Sequence, residues 1–101
     1  MQKAEFLSLV GSWKGKYCLV SAVFESFANL RIRLELETVA VNELVFKGRP
    51  PREGATFDLT GFCTFNAKEV PKLLADDPDF GFLEGVSIKR EGLEIAIFLL
   101  R

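Results

Sequence analysis

The strongest constraint on the fold is a two-residue alternation in the segment "LRIRLELE", residues 30–37. Apolar side chains occupy its even positions and charged side chains occupy its odd positions. A helix would spread the apolar residues around its circumference, whereas a β-strand gathers them on one face. The alternation therefore predicts a strand with one face on a hydrophobic core.

The segment before this strand is predicted to form a hairpin with it. "KYCLVSAVF" (16–24) is rich in residues that favour strands. We expect it to pair antiparallel with residues 30–37, with Phe24 opposite Leu30. This register places Cys18 on the core face, which accounts for that cysteine as a packing residue.

A second pair of strands is predicted from "VAVNELVFK" (39–47) and "ATFDLTGFCTF" (55–65). Gly61 falls on the apolar face of the latter segment, where a glycine is typical of a bulge or bend. The pattern leaves open whether residues 39–47 continue the strand before them or turn back.

The last predicted hairpin lies in "EGVSIKREGLEIAIFLL", residues 84–100. Glu91 and Gly92 form a two-residue loop, in which the glycine permits a positive φ. This loop sets a register in which apolar residues lie opposite apolar residues, and a positive residue lies opposite a negative one. The predicted pairs are Ile88 with Ile95, Val86 with Ile97, and Lys89 with Glu94. Because "IAIFLL" is apolar on both faces, this strand is expected to be central or covered.

Two short helices complete the predicted elements. "QKAEFLSLV" (2–10) places apolar residues at helical spacing before Gly11. "NAKEVPKLLADD" (66–77) has Asn66 and Glu69 at the spacing of a capping box. Pro71 would remove an N–H near the start of this second helix, so the helix can begin later than Asn66.

The size and composition fit one globular domain over residues 1–101. Apolar residues make up 49% and charged residues 27% of the chain, a mixture that disfavours disorder. The predicted fold class is mainly β, on the borderline of α+β. We expect about six antiparallel strands in a small barrel or sandwich with one or two short helices.

Several classes of function are disfavoured by composition. The chain has no histidine, which removes the usual catalytic triads and most zinc sites, and Cys18 and Cys63 cannot build an all-sulfur site. We therefore expect no metal and no cofactor. The net charge of −1 disfavours a nucleic-acid partner, because such partners select a basic surplus.

The expected location is the cytoplasm, without membrane insertion. No apolar run reaches the roughly 18 residues that a membrane-spanning helix needs. The N-terminal "MQKAEFLSLVGSW" also lacks the uninterrupted apolar stretch of a signal peptide. Free, reduced cysteines are expected in this compartment.

The loop "KGRPPREG" (47–54) is the first candidate binding site. Its two prolines make it stiff, so Lys47, Arg49 and Arg52 could project with little ordering cost toward a phosphate or carboxylate. The plainer interpretation is a polar turn between strands. A small anionic ligand held by this loop is the alternative function predicted from the sequence.

The leading function predicted from the sequence is a non-catalytic binding module for a protein partner. Strand faces carry more apolar residues than one core needs, and Phe62, Phe98 and Leu100 are the predicted interface residues. Self-association as a homodimer is one form of this prediction. An enzyme that relies on carboxylates alone, through Asp58 or Glu43, is the least favoured class, because it needs an acid with a raised pKa in a deep pocket.

Overall fold

A computed structural model of the protein describes residues 1–24, 28–48, 54–61, 63–70 and 82–100. Within these ranges, helix α1 spans Lys3–Gly11 and is followed by seven strands. The strands are β1 (Tyr17–Phe24), β2 (Ala28–Ala40), β3 (Glu43–Lys47), β4 (Ala55–Asp58), β5 (Thr64–Ala67), β6 (Phe82–Arg90) and β7 (Leu93–Leu100). None of the helices in these ranges is long and apolar enough to cross a membrane.

The strands form one antiparallel sheet in the order β4-β3-β2-β1-β7-β6-β5. The mainly β class is thus confirmed, with seven strands where the sequence predicted about six. In the described part of the chain β4 and β5 do not pair with each other, so the sheet is not a closed barrel. Buried side chains from both halves of the strand order nevertheless belong to one hydrophobic cluster, which includes Phe46 on β3 and Phe65 on β5.

Helix α1 lies across this cluster and contacts both β2 and β5. Its buried residues, Phe6 and Val10, stand four positions apart and therefore share a face. The ring of Phe6 lies 4.7 Å from the ring of Phe65 on β5. The predicted helix at residues 2–10 is confirmed.

The hairpin of β6 and β7 has the predicted register. Ile88 lies opposite Ile95, and Lys89 lies opposite Glu94, with their charged atoms 3.5 Å apart. Glu91 and Gly92 form the turn with φ values of 38° and 79°, the left-handed region that this two-residue loop requires. Strand β7 is central, because it pairs with β1 as well as with β6.

The hairpin of β1 and β2 has the predicted faces but a register shifted by two residues. Phe24 lies opposite Ala28, and Leu30 lies opposite Ala22 instead of Phe24. A shift of two keeps every side chain on its predicted face, because the pleat repeats every two residues. Cys18 consequently remains in the core and is fully buried.

The predicted strands at residues 39–47 and 55–65 are each divided in two. The first contains a turn at Val41 and Asn42, after which the chain runs back as β3. The second breaks after Asp58, whose carboxylate accepts hydrogen bonds from the backbone N–H and the hydroxyl of Thr60. Gly61 follows with a φ of 78°, so this glycine marks a bend. This break produces the seventh strand.

The sequence left two starts open for the second helix, and the earlier one, at the Asn66 capping box, is wrong. Asn66 and Ala67 belong to β5, where they pair with Ser87 and Val86 of β6. The ladder continues past the end of β5 through a 2.9 Å bond from the Lys68 N–H to the carbonyl oxygen of Gly85. Sheet pairing has therefore overridden the local capping signal. Residues 71–77 of the predicted helix lie outside the described ranges.

Candidate functional site

Strand β2 is much longer than the strand that follows it, and this difference leaves part of its edge open. β2 has 13 residues, whereas β3 has five. β1 pairs with Ala28–Glu35 of β2, and β3 pairs with Glu35–Ala40 on the other side. Within the described ranges, residues 28–34 therefore have no strand neighbour on the β3 side.

The backbone groups that point to this open edge can be assigned from Leu36. Its carbonyl accepts a 2.7 Å bond from the Gly15 N–H, and its own N–H donates a 3.0 Å bond to Lys16, so both groups face the β1 side. Gly15 and Lys16 together lie opposite the single residue Leu36 and so form a β-bulge. Gly15, with a φ of 84°, is the left-handed residue of this bulge. Because successive residues of a strand direct their backbone groups to opposite sides, Arg31 and Arg33 direct theirs to the open edge.

The side chains along this edge alternate between two chemistries. Leu30 is 65% exposed and Ile32 is half-buried on the face that continues the core, while Arg31 and Arg33 are exposed on the other face. The guanidinium carbon of Arg33 lies 5.0 Å from the centre of the Tyr17 ring. We call Leu30, Arg31, Ile32 and Arg33 the β2 edge surface.

The two arginines of the β2 edge surface have no acidic partner in the described part of the chain. The ion pairs found there join Lys47 to Glu35, and Lys68 and Lys89 to Glu94. The β2 edge surface thus combines backbone groups without a strand neighbour in the described ranges, one exposed and one half-buried apolar side chain, and positive charge.

A second feature is a cavity of about 200 Å³ between β4 and the hairpin of β6 and β7. It is partly open to solvent, and most of its wall is apolar. The apolar lining residues are Phe57, Leu59, Ile88, Leu93 and Ile95. Its polar lining residues are Thr56, Asp58, Cys63 and Arg90.

Arg90 connects the two sides of this cavity. Its Nη2 donates to the carbonyl oxygen of Asp58 at 3.3 Å, to the carbonyl oxygen of Thr60, and to the Cys63 sulfur at 2.8 Å. The bond to Cys63, followed by the charges of Asp58 and Glu91, raises the pKa of Arg90, which stays positively charged. A cation is therefore fixed at the wall of an apolar cavity.

Asp58 lies at the same wall and stays ionised. The hydroxyl and the N–H of Thr60 donate to its carboxylate, and together with the charge of Arg90 they lower the pKa of Asp58. Glu43 lies opposite Asp58 across β3 and β4, and both are exposed. The lowered pKa of Asp58 is the reverse of the raised pKa that a carboxylate enzyme using this residue would need. The described residues contain no cluster of three or more metal-ligating side chains.

The predicted anion loop is only partly within the described ranges. Lys47 ends β3, and its ammonium group lies 3.6 Å from the Glu35 carboxylate. Arg49 and Arg52 lie outside the described residues. Gly54 is required at the far end of the loop, because a Cβ there would lie 1.8 Å from the carbonyl oxygen of Phe46.

The predicted interface residues Phe98 and Leu100 are not on an open surface. They are 5% and 7% exposed, and with Ala96 they form a second apolar cluster. Half-buried Tyr17, Leu19 and Val70 pack against this cluster. A partner could reach Phe98 only by displacing its covering residues, so the chain itself accounts for this apolar face. Phe62 lies outside the described residues.

The sequence predicted the side-chain pattern of the β2 edge surface but not its open edge. Alternation over residues 30–37 shows the arginine row and the leucine row. The open edge depends on where β3 begins and ends, which is a tertiary property.

Comparison of the chain with protein-family models, with curated proteins and with solved structures finds no match.

Proposed function

We propose that this chain is a non-catalytic protein-interaction module that binds an extended segment of a partner along the open edge of β2. In this recognition mode a peptide adds a strand to a sheet, and main-chain hydrogen bonds supply affinity. The observation that carries the proposal is the direction of the Arg31 and Arg33 backbone groups toward an edge without a strand neighbour in the described ranges. An edge strand presents a row of backbone N–H and C=O groups, which is a template for pairing with an added strand.

The charge of the β2 edge surface defines the chemistry of the partner. A strand paired there would place alternate side chains next to Arg31 and Arg33, and the others next to Leu30 and Ile32. Opposite charges directly across a strand pair stabilise it, whereas like charges destabilise it. The partner segment is therefore an acidic strand in which Asp or Glu alternates with apolar residues.

A second copy of this chain is a poorer partner for the same edge. β3 already occupies the edge of residues 35–40, so an antiparallel two-fold pairing must be centred near residue 31 or 32. Centred at Ile32, it places Arg31 opposite Arg33 of the other copy. Centred at Arg31, it places that arginine opposite itself. Self-association through this edge is thus opposed by its own charges.

The module fits a reducing compartment such as the cytoplasm. Cys18 is a buried free thiol and Cys63 is a half-buried free thiol. Proteins that keep free thiols are typical of compartments in which disulfides are reduced.

The proposal is tested with a seven-residue peptide of alternating valine and glutamate, and with a matched peptide that has lysine in place of each glutamate. Amide chemical shifts of the full chain are followed by NMR while each peptide is added. We expect the acidic peptide to shift the amides of residues 28–34 and to bind at least about tenfold more tightly than the basic one. Added salt should weaken this binding, because the charges are exposed.

A charge-reversed variant separates this site from general electrostatic attraction. The double substitution Arg31→Glu and Arg33→Glu should reverse the preference between the two peptides. The control substitutes Lys14→Glu and Lys16→Glu, an equal change of net charge at exposed positions elsewhere. The control should keep the original preference. Equal binding of both peptides, or amide shifts confined to residues outside 28–34, would contradict the proposal.

A further inference from the structure

The cavity between β4 and the hairpin of β6 and β7 is much larger than one water molecule. Protein interiors contain few voids larger than a water molecule. An apolar cavity of about 150 Å³ is enough to take up benzene. The cavity here has about 200 Å³ and is lined mostly by apolar side chains, including Phe57, Leu93 and Ile95. It therefore has room for one aromatic ring or a short branched chain.

Arg90 provides a directional polar contact at the wall of this cavity. In the described part of the chain the guanidinium group uses only Nη2 for hydrogen bonds. Its Nε–H and Nη1–H groups have no acceptor there. A guanidinium group presents its donors in a planar fork that matches the two oxygens of a carboxylate. In an apolar pocket, a small number of polar groups fixes the orientation of a small ligand.

The other charge at the cavity limits what can accompany the carboxylate. The Asp58 carboxylate accepts both of its known hydrogen bonds from Thr60, and it keeps its negative charge. A second anionic group on the ligand would be repelled by Asp58, and so would a phosphate with more than one charge. A single carboxylate on a small apolar body satisfies both observations.

We infer that this cavity is a binding site for a small monocarboxylate whose apolar body is a single ring or a short branched chain. The carboxylate contacts Arg90, and the apolar body packs between β4 and the hairpin of β6 and β7. This site shares no residue with the β2 edge surface, so it stands independently of the proposed peptide binding. It assigns a ligand chemistry to a part of the molecule for which the sequence predicted strands and, through Asp58, only the least favoured enzyme.

The test uses three probes with the same ring: benzoate, benzyl alcohol and benzylamine. Each is added to the full chain while the methyl signals of Ile88, Leu93 and Ile95 are followed by NMR. We expect saturable shifts with benzoate, weaker binding of benzyl alcohol, and binding of benzylamine at least about tenfold weaker than that of benzoate. Equal binding of the three probes, the reverse order, or the absence of saturable shifts would overturn the inference.

Substitutions distinguish the cavity from non-specific binding of an aromatic probe. Leu93→Trp fills the cavity from a half-buried position and should abolish the benzoate shifts, whereas Val41→Trp, at a position that is 68% exposed and outside the cavity lining, should leave them unchanged. If Leu93→Trp does not fold, Thr56→Trp fills the cavity from an exposed position on β4. Arg90→Gln should remove the preference for benzoate over benzyl alcohol. Benzoate binding that survives the filling substitutions would place the ligand elsewhere and reject the site.

Discussion

The guanidinium group of Arg90 lies 3.3 Å from the backbone carbonyl oxygen of Asp58, which joins β6 to the end of β4. β4 is the first strand in the sheet order and β6 is the last but one. In the described ranges β4 and β5 do not pair, so the sheet is not a closed barrel. The Arg90 side chain links the two parts of the sheet there through its hydrogen bonds. The same guanidinium group forms part of the cavity wall.

Replacement of Arg90 should therefore destabilise the fold as well as alter the cavity. In Arg90→Gln the carbonyl oxygens of Asp58 and Thr60 lose their charged donor. We expect a lower Tm in thermal unfolding followed by circular dichroism. Arg31→Gln, which removes an exposed arginine without a hydrogen bond in the described ranges, should leave the Tm almost unchanged. Equal effects of the two substitutions would contradict the bridging role of Arg90.

Gly85 should not tolerate a side chain. A Cβ at this position would lie 2.7 Å from the carbonyl oxygen of Lys68 and 2.7 Å from a ring carbon of Phe98. We expect Gly85→Ala to lower the free energy of unfolding by about 1–3 kcal/mol, because overpacking forces backbone shifts. Denaturant unfolding measures this. The matched control is Gly11→Ala, where a Cβ meets nothing within 4 Å and alanine favours the helix.

The buried thiol of Cys18 should make the protein sensitive to alkali. Burial raises the pKa of Cys18 from 9.0 to about 12. Between these values the unfolded chain releases the thiol proton while the folded chain keeps it, so stability falls as the pH rises from about 9 to about 12. We expect the wild type to lose more stability over this range than Cys18→Ala. Lysine and tyrosine side chains are the same in both proteins, so the difference between the two curves of stability against pH reports on Cys18 alone. Parallel curves would contradict the prediction.

Glu94 should contribute to stability at neutral pH and lose that contribution in acid. A 2.6 Å bond from Lys68, supported by the charge of Lys89, lowers the pKa of Glu94 below its ordinary value of 4.5. Because the folded pKa is the lower one, the contribution is present above the unfolded value and is lost as the pH falls through the folded value. In Glu94→Gln, stability should depend less on pH below about 4.5. Denaturant midpoints measured across the acid range test this.

Proline substitutions should reveal the direction of the β2 backbone. The N–H of Arg31 points to the open edge, so Arg31→Pro removes no ladder bond from the described sheet. The N–H of Ile32 points to β1, so Ile32→Pro removes a ladder bond, leaves its acceptor unpaired and should cost about 1–3 kcal/mol. The ratio of folded to unfolded chain in denaturant, followed by tryptophan fluorescence, compares the two. A more damaging Arg31→Pro would invert the assignment on which the proposed function depends.

Local patterns were sufficient for the hairpin of β6 and β7, whose strands pair through a two-residue turn. The register of β6 and β7 follows from Glu91 and Gly92, because a two-residue loop leaves a single way to match apolar residues and charges. The register of β1 and β2 was misjudged by two residues, because nothing in a period of two distinguishes one even shift from another. The capping pattern at Asn66 is local and indicates one possible helix start, whereas the pairing of Asn66 with β6 is not local.

The candidate sites show the same limit. Arg31 and Arg33 were recognised as one charged row, but their open edge arises from the different lengths of β2 and β3. No local pattern indicates a role for Arg90, because its hydrogen-bond partners stand 27 to 32 positions earlier in the chain. Phe98 looked like a contact residue in an apolar run, yet it is buried by neighbours that include Leu19 and Val70.

The amino-acid order alone determined that this chain forms strands, which side of each strand is apolar, and where the tight turn of the last hairpin lies. These properties depend on side-chain direction and turn chemistry, which act over a few residues. Tertiary structure decided which edge stays open, which apolar face is covered, and which cation borders the cavity. Those properties arise from contacts between distant segments, and a pattern that repeats every two residues carries no information about which segments meet.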